Sequence, residues 1–284
     1  MLGIVADTGR LMKNAAQLSR TYQAPFARTL RQYSTVKLAA AAERRRPTAS
    51  TTELTSFEFL SYRVWTWRAN ELRYLIDEIF VREEYRFEST EASPRILDCG
   101  SNIGMSVLYF KHTYPDSRVV AFEPDPACFE ALRRNVEDNR LDGVEIHNAA
   151  VARKAGSIQF FIDPTRAGSL LGSLYQERAR GGRPVDVVSI GLSSFLREPA
   201  ELLKLDIEGA ELDVLQDLTE SGAIARVREA VIEYHHNLPS GTNRLSEFLA
   251  MIEDASFSFS IAADSAPRAR RDAFQDVFIR AERR

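Results

Sequence analysis

The chain predicts an α/β fold, a doubly wound and mainly parallel sheet preceded by a helical N-terminal extension, and three observations carry that expectation. First, the buried-strand run Arg95-Ile96-Leu97-Asp98-Cys99 meets two glycines, Gly100 and Gly104, and then an apolar-periodic segment from Met105 to Tyr114. That is the pattern of a strand, a tight turn and a helix opening at the turn. Second, strand-like and helix-like segments alternate from residue 95 to the end of the chain, which favours parallel pairing with helices on both faces. Third, Asp98, Glu123, Asn148, Asp206, Glu208, Glu233 and His235 all fall where a strand run gives out. Open α/β sheets bind their ligands at the carboxyl ends of the strands.

Taken in order, residues 1–50 read as a basic helical extension and linker. Leu11, Ala15, Leu18, Tyr22 and Phe26 recur at helical spacing, Pro25 marks a break, and residues 47–52 have linker composition. Residues 51–93 are aromatic-rich: Tyr62 to Trp67 alternates as a strand does, and Glu71 to Phe80 is helix-like. These aromatics are expected to divide between core packing and a substrate-covering cap. Residues 94–284 hold the alternating domain. Arg118 to Phe122 is its second strand, and Pro126 opens a helix with Asp125 as N-cap. Val144 to Val151 reads as the third strand. Ser157–Ile162 and Pro184–Ile190 are shorter strands flanking a Gly/Ser/Arg-rich loop. Leu202 to Ile207 is a central strand, and Leu212, Leu215 and Leu218 share one face of the helix after it. Ala230–His236 is a strand, Arg244–Ile252 a helix, and strands near 257–262 and 276–280 close the sheet, with antiparallel pairing an option for this last pair.

Composition narrows the classes. A length of 284 residues suits one large domain plus an extension, and 44% hydrophobic with 27% charged residues is ordinary for a globular protein. The net charge of −3 argues against a general nucleic-acid binder, although residues 1–46 carry nine Lys/Arg against two Asp/Glu. That segment's alanine-rich apolar face is expected to pack on the domain, or on a second copy in a homo-oligomer, rather than on a membrane surface. Cys99 and Cys128 alone make no disulfide framework or metal-cluster spacing. No apolar run is long enough for a transmembrane segment, and the N-terminus has no secretory pattern, so a cytoplasmic location is the expectation.

The turn at 98–104 narrows the cofactor. Gly100 and Gly104 are expected to let backbone approach a ligand, and Glu123 stands nineteen residues after Gly104, where an acid accepts hydrogen bonds from ribose hydroxyls. A dinucleotide fingerprint places glycine where Asp98 stands. A carboxylate there repels a pyrophosphate and suits a cationic amino group. S-adenosylmethionine, with an ammonium, a sulfonium, a ribose and no phosphate, matches both acids.

Four segments together carry a resemblance: Asp98-x-Gly100-x-Asn102-x-Gly104, Phe122-Glu123-Pro124-Asp125, Lys204-x-Asp206-x-Glu208-Gly209-x-Glu211 and Glu233-Tyr234-His235. Over roughly residues 95–236 the chain resembles the FkbM-type methyltransferases, class I enzymes with a Rossmann-like fold. The resemblance implies S-adenosylmethionine as cofactor and O-methylation of a sugar or natural-product hydroxyl, so a small-molecule or glycan acceptor. It implies that Asp98, Gly100, Asn102 and Gly104 hold the methionine part, that Glu123 takes the ribose, and that Asn148 and Ala149 border the adenine. It also places Asp206 facing the methyl donor and acceptor.

Methyl transfer to oxygen needs an aligned acceptor and a proton acceptor. His235 is the first candidate base and Asp206 the second, with Lys204, Glu208 and Glu233 orienting the acceptor. A divalent metal on Asp206, Glu208, Glu233 and His235 is an alternative that the mixed oxygen and nitrogen donors permit. His112, His147 and His236 have no evident partner and are expected to be bystanders. Two other readings stand beside methyl transfer: a catalytically silent scaffold using the basic N-terminal helices, and an NAD-type oxidoreductase, which Asp98 disfavours.

Overall fold

The structure, a computed structural model, describes residues 2–45, 53–163, 167–170, 172–176, 179, 182–238, 244–263 and 274–284, with side chains from residue 8 onward. The 47–52 linker lies outside them, as does part of the 163–184 loop.

Two helices, α1 (Leu2–Thr21) and α2 (Phe26–Arg45), turn at Pro25, where Gln23 adopts φ 51°. A hairpin of β1 (Thr55–Phe59) and β2 (Tyr62–Thr66) follows, then α3 (Ala69–Leu75), which runs into one π-helical stretch, Ile76–Val81. The alternating domain then supplies β3 (Arg95–Cys99), α4 (Met105–Thr113), β4 (Arg118–Phe122), α5 (Pro126–Asp138) and β5 (Val144–His147). Next come β6 (Ala150–Ala152), β7 (Gly156–Ile162), β8 (Arg183–Gly191), β9 (Ala200–Leu205) and α6 (Glu211–Glu220). β10 (Val227–His236), α7 (Leu245–Asp254), β11 (Phe257–Ala263) and β12 (Gln275–Arg283) finish the chain.

The main sheet has the order β11-β12-β10-β9-β3-β4-β5. Its five strands from β10 to β5 are parallel, while β12 inserts antiparallel between β10 and β11. Parallel strands covered on both faces have to be apolar throughout, and β3 is accordingly buried at all five positions. One face packs α4, α5, α3 and the N-terminal helices, with Leu18, Tyr33 and Val36 in the same core as Ile96, Leu108 and Leu202. The other face packs α6 and α7, with Leu215, Leu218, Phe248 and Ile252 against Leu203 and Ile232. The N-terminal helices thus share a core with the sheet. No helix among the described residues is long and apolar enough to cross a membrane.

The 144–151 segment is not a single strand. It divides at Asn148, whose side-chain amide donates to the carbonyls of Glu123 and Pro124. Val144–His147 stays beside β4, whereas Ala150–Ala152 pairs with β8 in a separate three-stranded sheet of order β6-β8-β7. Alternation along the chain gives no sign of that change of sheet.

The hairpin docks on α5 through asparagines. Asn135 accepts from the Trp65 N–H at 2.6 Å and donates to the Trp65 carbonyl at 3.0 Å, and Asn139 does the same for Arg63. The indole N–H groups of Trp65 and Trp67 donate to Asp138 and to the Ala127 carbonyl. Both tryptophans therefore serve packing. Helix α3 is capped from α2: the Glu43 carboxylate accepts from Ala69 N at 2.7 Å and Asn70 N at 3.1 Å, while Arg68 at the N-cap position makes no side-chain cap. Replacing Glu43 with alanine strands two helix N-terminal donors. It is expected to lower unfolding stability in urea by about 1 kcal/mol, the usual worth of a cap.

Candidate active site

The carboxyl ends of β3, β4, β9 and β10 open on a cavity of about 410 Å³. Turns after β3 and β4 form one wall, the residues after β9 a second, and α3 with the π-helical stretch the cover. The turn Gly100–Gly104 hangs from β4: Gly100 and Ser101 both donate to the Phe122 carbonyl, and Asn102 N donates to Glu123 Oε2 at 2.8 Å. Asp125 N donates to the other Glu123 oxygen at 2.8 Å, and Asp125 itself caps α5 by accepting from Ala127 N at 2.7 Å. Burial, with Asp125 nearby, pushes the Glu123 carboxyl up to about 8 despite those donors.

Gly100, Asn102, Glu123 and Ala149 line the cavity; Asp98, Gly104 and Asn148 do not. Both glycines are needed for packing, and Gly100 lines the cavity as well. A Cβ on Gly100 would lie 1.8 Å from the Asp206 carbonyl oxygen, and one on Gly104 would lie 2.6 Å from Leu132 Cδ1. Asp98 is fully buried behind the turn. Its Oδ2 accepts from Ser106 Oγ at 2.5 Å, its Oδ1 has no hydrogen bond, and Lys204 Nζ stands 3.6 Å away. Asn148 is an exposed structural bridge.

At the other wall, Lys204 is 1% exposed. Its ammonium donates to the carbonyls of Cys99 at 3.2 Å and Gly100 at 2.5 Å and faces Asp206 Oδ2 at 3.4 Å. Burial disfavours that charge, but Asp206 and Asp98 outweigh it and hold the ammonium above its usual range. Lys204 ties the turn to the end of β9. Tyr85 donates its phenol to Asp206 Oδ2 at 3.2 Å, and its ring lies 5.2 Å from the Lys204 ammonium. Glu208 follows with φ 58°, a left-handed conformation rare outside glycine, and its carbonyl accepts from Ser173 Oγ at 2.6 Å.

His235 is brought to this cluster but lies behind the cavity wall, with its side chain fully buried. Nδ1 is 2.8 Å from Glu211 Oε1, and Nε2 is 3.3 Å from Glu208, 3.8 Å from Asp276 and 4.0 Å from both Asp206 and Glu233. Burial opposes a charged ring, but Glu208, Glu211 with its hydrogen bond, and Glu233 outweigh it and hold the imidazole well above its ordinary range. His235, the first candidate for general base, is not among the residues that line the cavity. Asp206, Glu208 and Glu233 do line the cavity. His147 stacks on Phe122 and pairs with Glu145, and His112 packs against Tyr22 and Tyr62. Neither histidine is a cavity-lining residue.

Four participants escape a reading of the sequence. Tyr74, Glu78 and Tyr85 come from the aromatic-rich segment, and Asp276 stands opposite His235 in the β10–β12 register. Burial, with Glu84 and Asp206 adding to it, pushes Glu78 up to about 8. Nothing local marks these residues; Tyr85 is 121 positions from the carboxylate it bonds. Glu211 was visible within its motif, but its bond to His235 was not.

The "Methyltransferase FkbM domain" family matches residues 98–259. Among characterised proteins, methyltransferase sdnD of Sordaria araneosa is 32% identical over 242 residues, 74% of this chain and 91% of that one. The 31-O-demethyl-FK506 methyltransferase FkbM of Streptomyces tacrolimicus is 28% identical over 70% of this chain and 86% of its own. The 2-O-methyltransferase NoeI of Sinorhizobium fredii is 27% identical over 50% and 63%. With the family matching more than half its length around this cavity, the chain belongs to the FkbM methyltransferases.

Proposed function

We propose that the chain is an S-adenosylmethionine-dependent O-methyltransferase acting on a hydroxyl of a small polyhydroxylated molecule, a sugar or a natural product. The observation that carries this reading is the charge of the cavity. Eight acidic side chains line it, those of Glu71, Glu78, Glu123, Asp125, Asp206, Glu208, Glu233 and Asp276, against the single cationic side chain of Lys204 among the described residues. Burial raises Glu78, Glu123, Asp125 and Glu233 above the usual carboxylate range, a cost that a bound cation would offset. Such a lining repels the pyrophosphate of a dinucleotide and suits a sulfonium and an ammonium. A volume near 410 Å³ falls in the range of small-molecule sites. Two of the similar proteins carry O-methyltransfer in their names, at position 31 of FK506 and at a 2-O position.

Glu123 would hold the ribose hydroxyls. Gly100, Ser101 and Asn102 would border the methionine part, with buried Asp98 supporting the ammonium from behind the turn. Ala149 and Val151 offer an apolar edge for the adenine. When bound, S-adenosylmethionine supplies a methyl group on a sulfonium and leaves as the neutral thioether. Asp206 faces the acceptor side, where its carboxylate would take the hydroxyl proton as the oxygen gains the methyl group, and Glu233 would orient the acceptor. Tyr85 and Lys204 hold Asp206 in place for that role. Leu75, Ile79, Leu170 and Leu174 line the cavity with apolar surface that would displace water around a bound ligand.

Calorimetry with S-adenosylhomocysteine tests the cofactor. Micromolar binding is expected for the wild type. Hydrogen bonds to a charged group are worth about 1.5–3 kcal/mol each, so Glu123→Ala is expected to weaken binding roughly 100-fold. The ribose needs the carboxylate form of Glu123, whose pKa in the free chain is about 8. Below that pH, binding has to displace a proton. Affinity is therefore expected to rise with pH up to about 8 and then level off, and Glu123→Ala is expected to remove the rise. Absence of binding by the wild type would end the reading.

A further inference from the structure

We propose that the chain holds one divalent cation, Mg²⁺ or Mn²⁺, on His235 Nε2, Asp206 Oδ1 and Glu208 Oε2, at the acceptor side of the cavity. The proposal rests on the acceptor placement above and goes beyond it by giving that wall a metal.

The first observation is that His235 is a ring with one nitrogen fixed and the other unsatisfied. Glu211, 1% exposed, accepts from Nδ1 at 2.8 Å and takes a second hydrogen bond from Gly209 N at 2.9 Å, so its position is set from two sides. That bond fixes the ring and leaves Nε2 as the nitrogen that faces the other carboxylates, the arrangement in which a carboxylate behind a histidine orients it toward a metal. Nε2 is buried, makes no hydrogen bond and points into a group of carboxylates. A buried imidazole nitrogen that faces carboxylates but makes no hydrogen bond among the described residues requires an explanation.

The second observation is the spacing of the oxygens. One donor atom from each of Asp206, Glu208 and His235 falls within 4.8 Å of the other two. The Nε2 distances are 3.3 Å to Glu208 and 4.0 Å to Asp206. Ligands about 2.1 Å from a small octahedral ion sit about 3 Å apart when adjacent and about 4.2 Å apart when opposite. The three atoms therefore need only small side-chain movements to close on one ion.

The third observation is that Asp206 is held by its other oxygen. Oδ2 takes the Tyr85 phenol and faces the Lys204 ammonium, which leaves Oδ1 turned toward the imidazole. Glu233 and Asp276 stand 4.0 and 3.8 Å from Nε2 and form a second group around the same nitrogen. Four carboxylates around one point favour a positive charge there, carried by the ring as a proton or by a cation on Nε2. Two hard oxygens with one imidazole suit Mg²⁺ or Mn²⁺. Asp206 and Glu208 are both cavity-lining, so an ion there would have coordination positions left for water and for an acceptor hydroxyl.

The test uses the full chain stripped with EDTA and titrated with Mn²⁺ alone, free Mn²⁺ being read by electron paramagnetic resonance. One Mn²⁺ per chain is expected, displaced by excess Mg²⁺. Glu208→Gln and Asp206→Asn are each expected to weaken binding more than 10-fold, and Glu211→Gln by about 10- to 100-fold, as for other residues that orient a metal ligand. Glu145→Gln, an exposed acid beside His147, is expected to leave it unchanged. Melting temperatures recorded for each variant separate lost binding from lost folding, and any one folded ligand variant suffices. A folded wild type that takes up no Mn²⁺ at millimolar concentration, or folded Glu208→Gln and Asp206→Asn variants that bind as the wild type does, would overturn the site. S-adenosylhomocysteine calorimetry in EDTA runs alongside. Cofactor binding without Mn²⁺ binding sinks the metal alone, whereas Mn²⁺ binding without cofactor binding sinks the cofactor reading and leaves the metal site standing.

Discussion

Replacing Lys204 with methionine is expected to destabilise the chain by about 3–5 kcal/mol, the cost of leaving buried charge unpaired. The side chain is of similar length, so packing against the Tyr85 ring is largely kept and the loss is electrostatic. Asp98, already without a hydrogen bond on Oδ1 among the described residues, would lose the cation 3.6 Å away, and the Cys99 and Gly100 carbonyls would lose their shared donor. The turn that carries Asn102 against Glu123 would then be tied to β9 by backbone pairing alone. S-adenosylhomocysteine binding should fall along with stability. Urea unfolding of Lys204→Met, Asp98→Asn and the double variant separates the parts. If the cost lies in the stranded carboxylate, the double variant regains most of it. A single variant within 1 kcal/mol of the wild type would show that the cluster needs no cation at this point.

Gly100→Ala is expected to be the more damaging change, leaving little soluble folded protein. Its φ of +82° is strained for any L side chain, and the new Cβ would stand 1.8 Å from the Asp206 carbonyl oxygen and 2.9 Å from the carbon. Both atoms are backbone, in the residue that follows β9, so no rotamer change relieves the contact. Gly222→Ala isolates the conformational part: φ is +71°, and nothing lies within 4 Å of the added carbon. That variant is expected to fold with a loss of about 1–2 kcal/mol, typical of a non-glycine residue held left-handed. Expression and urea unfolding of the pair measure the difference. Similar costs for the two would mean that β3 and β9 separate more easily than their packing implies.

Much of this architecture was legible in the residues because it is governed by local rules. The apolar run at β3, the change to helical period after Gly104, and Asp125 with Pro126 opening α5 each state their structure within a few positions. The match between strand ends and polar residues was legible too, since a parallel sheet brings all its carboxyl ends to one edge. Glu123, Asp206, Glu208 and Glu233 meet at one cavity for that reason.

What only the tertiary structure decided is which groups share a proton or a charge, and there it reversed the simplest assignments. His235 looked like a base because an isolated imidazole titrates near neutrality. Register with β12 sets Asp276 opposite it, and Glu208 and Glu211 stand at its two nitrogens, so it sits behind the cavity wall among acids. Gly104 looked like a ligand-side glycine, yet it makes room for Leu132 and does not line the cavity, while Gly100 lines the cavity and also makes room for the Asp206 carbonyl. Tyr85 gave no sign of itself, because its partner lies 121 residues on and is reached only when the aromatic segment folds over the sheet. Period, capping and strand ends are properties of neighbouring residues, so the sequence by itself determined the fold and the place of the site. Burial and charge pairing depend on residues far apart in the chain, and the fold alone settles which of them meet.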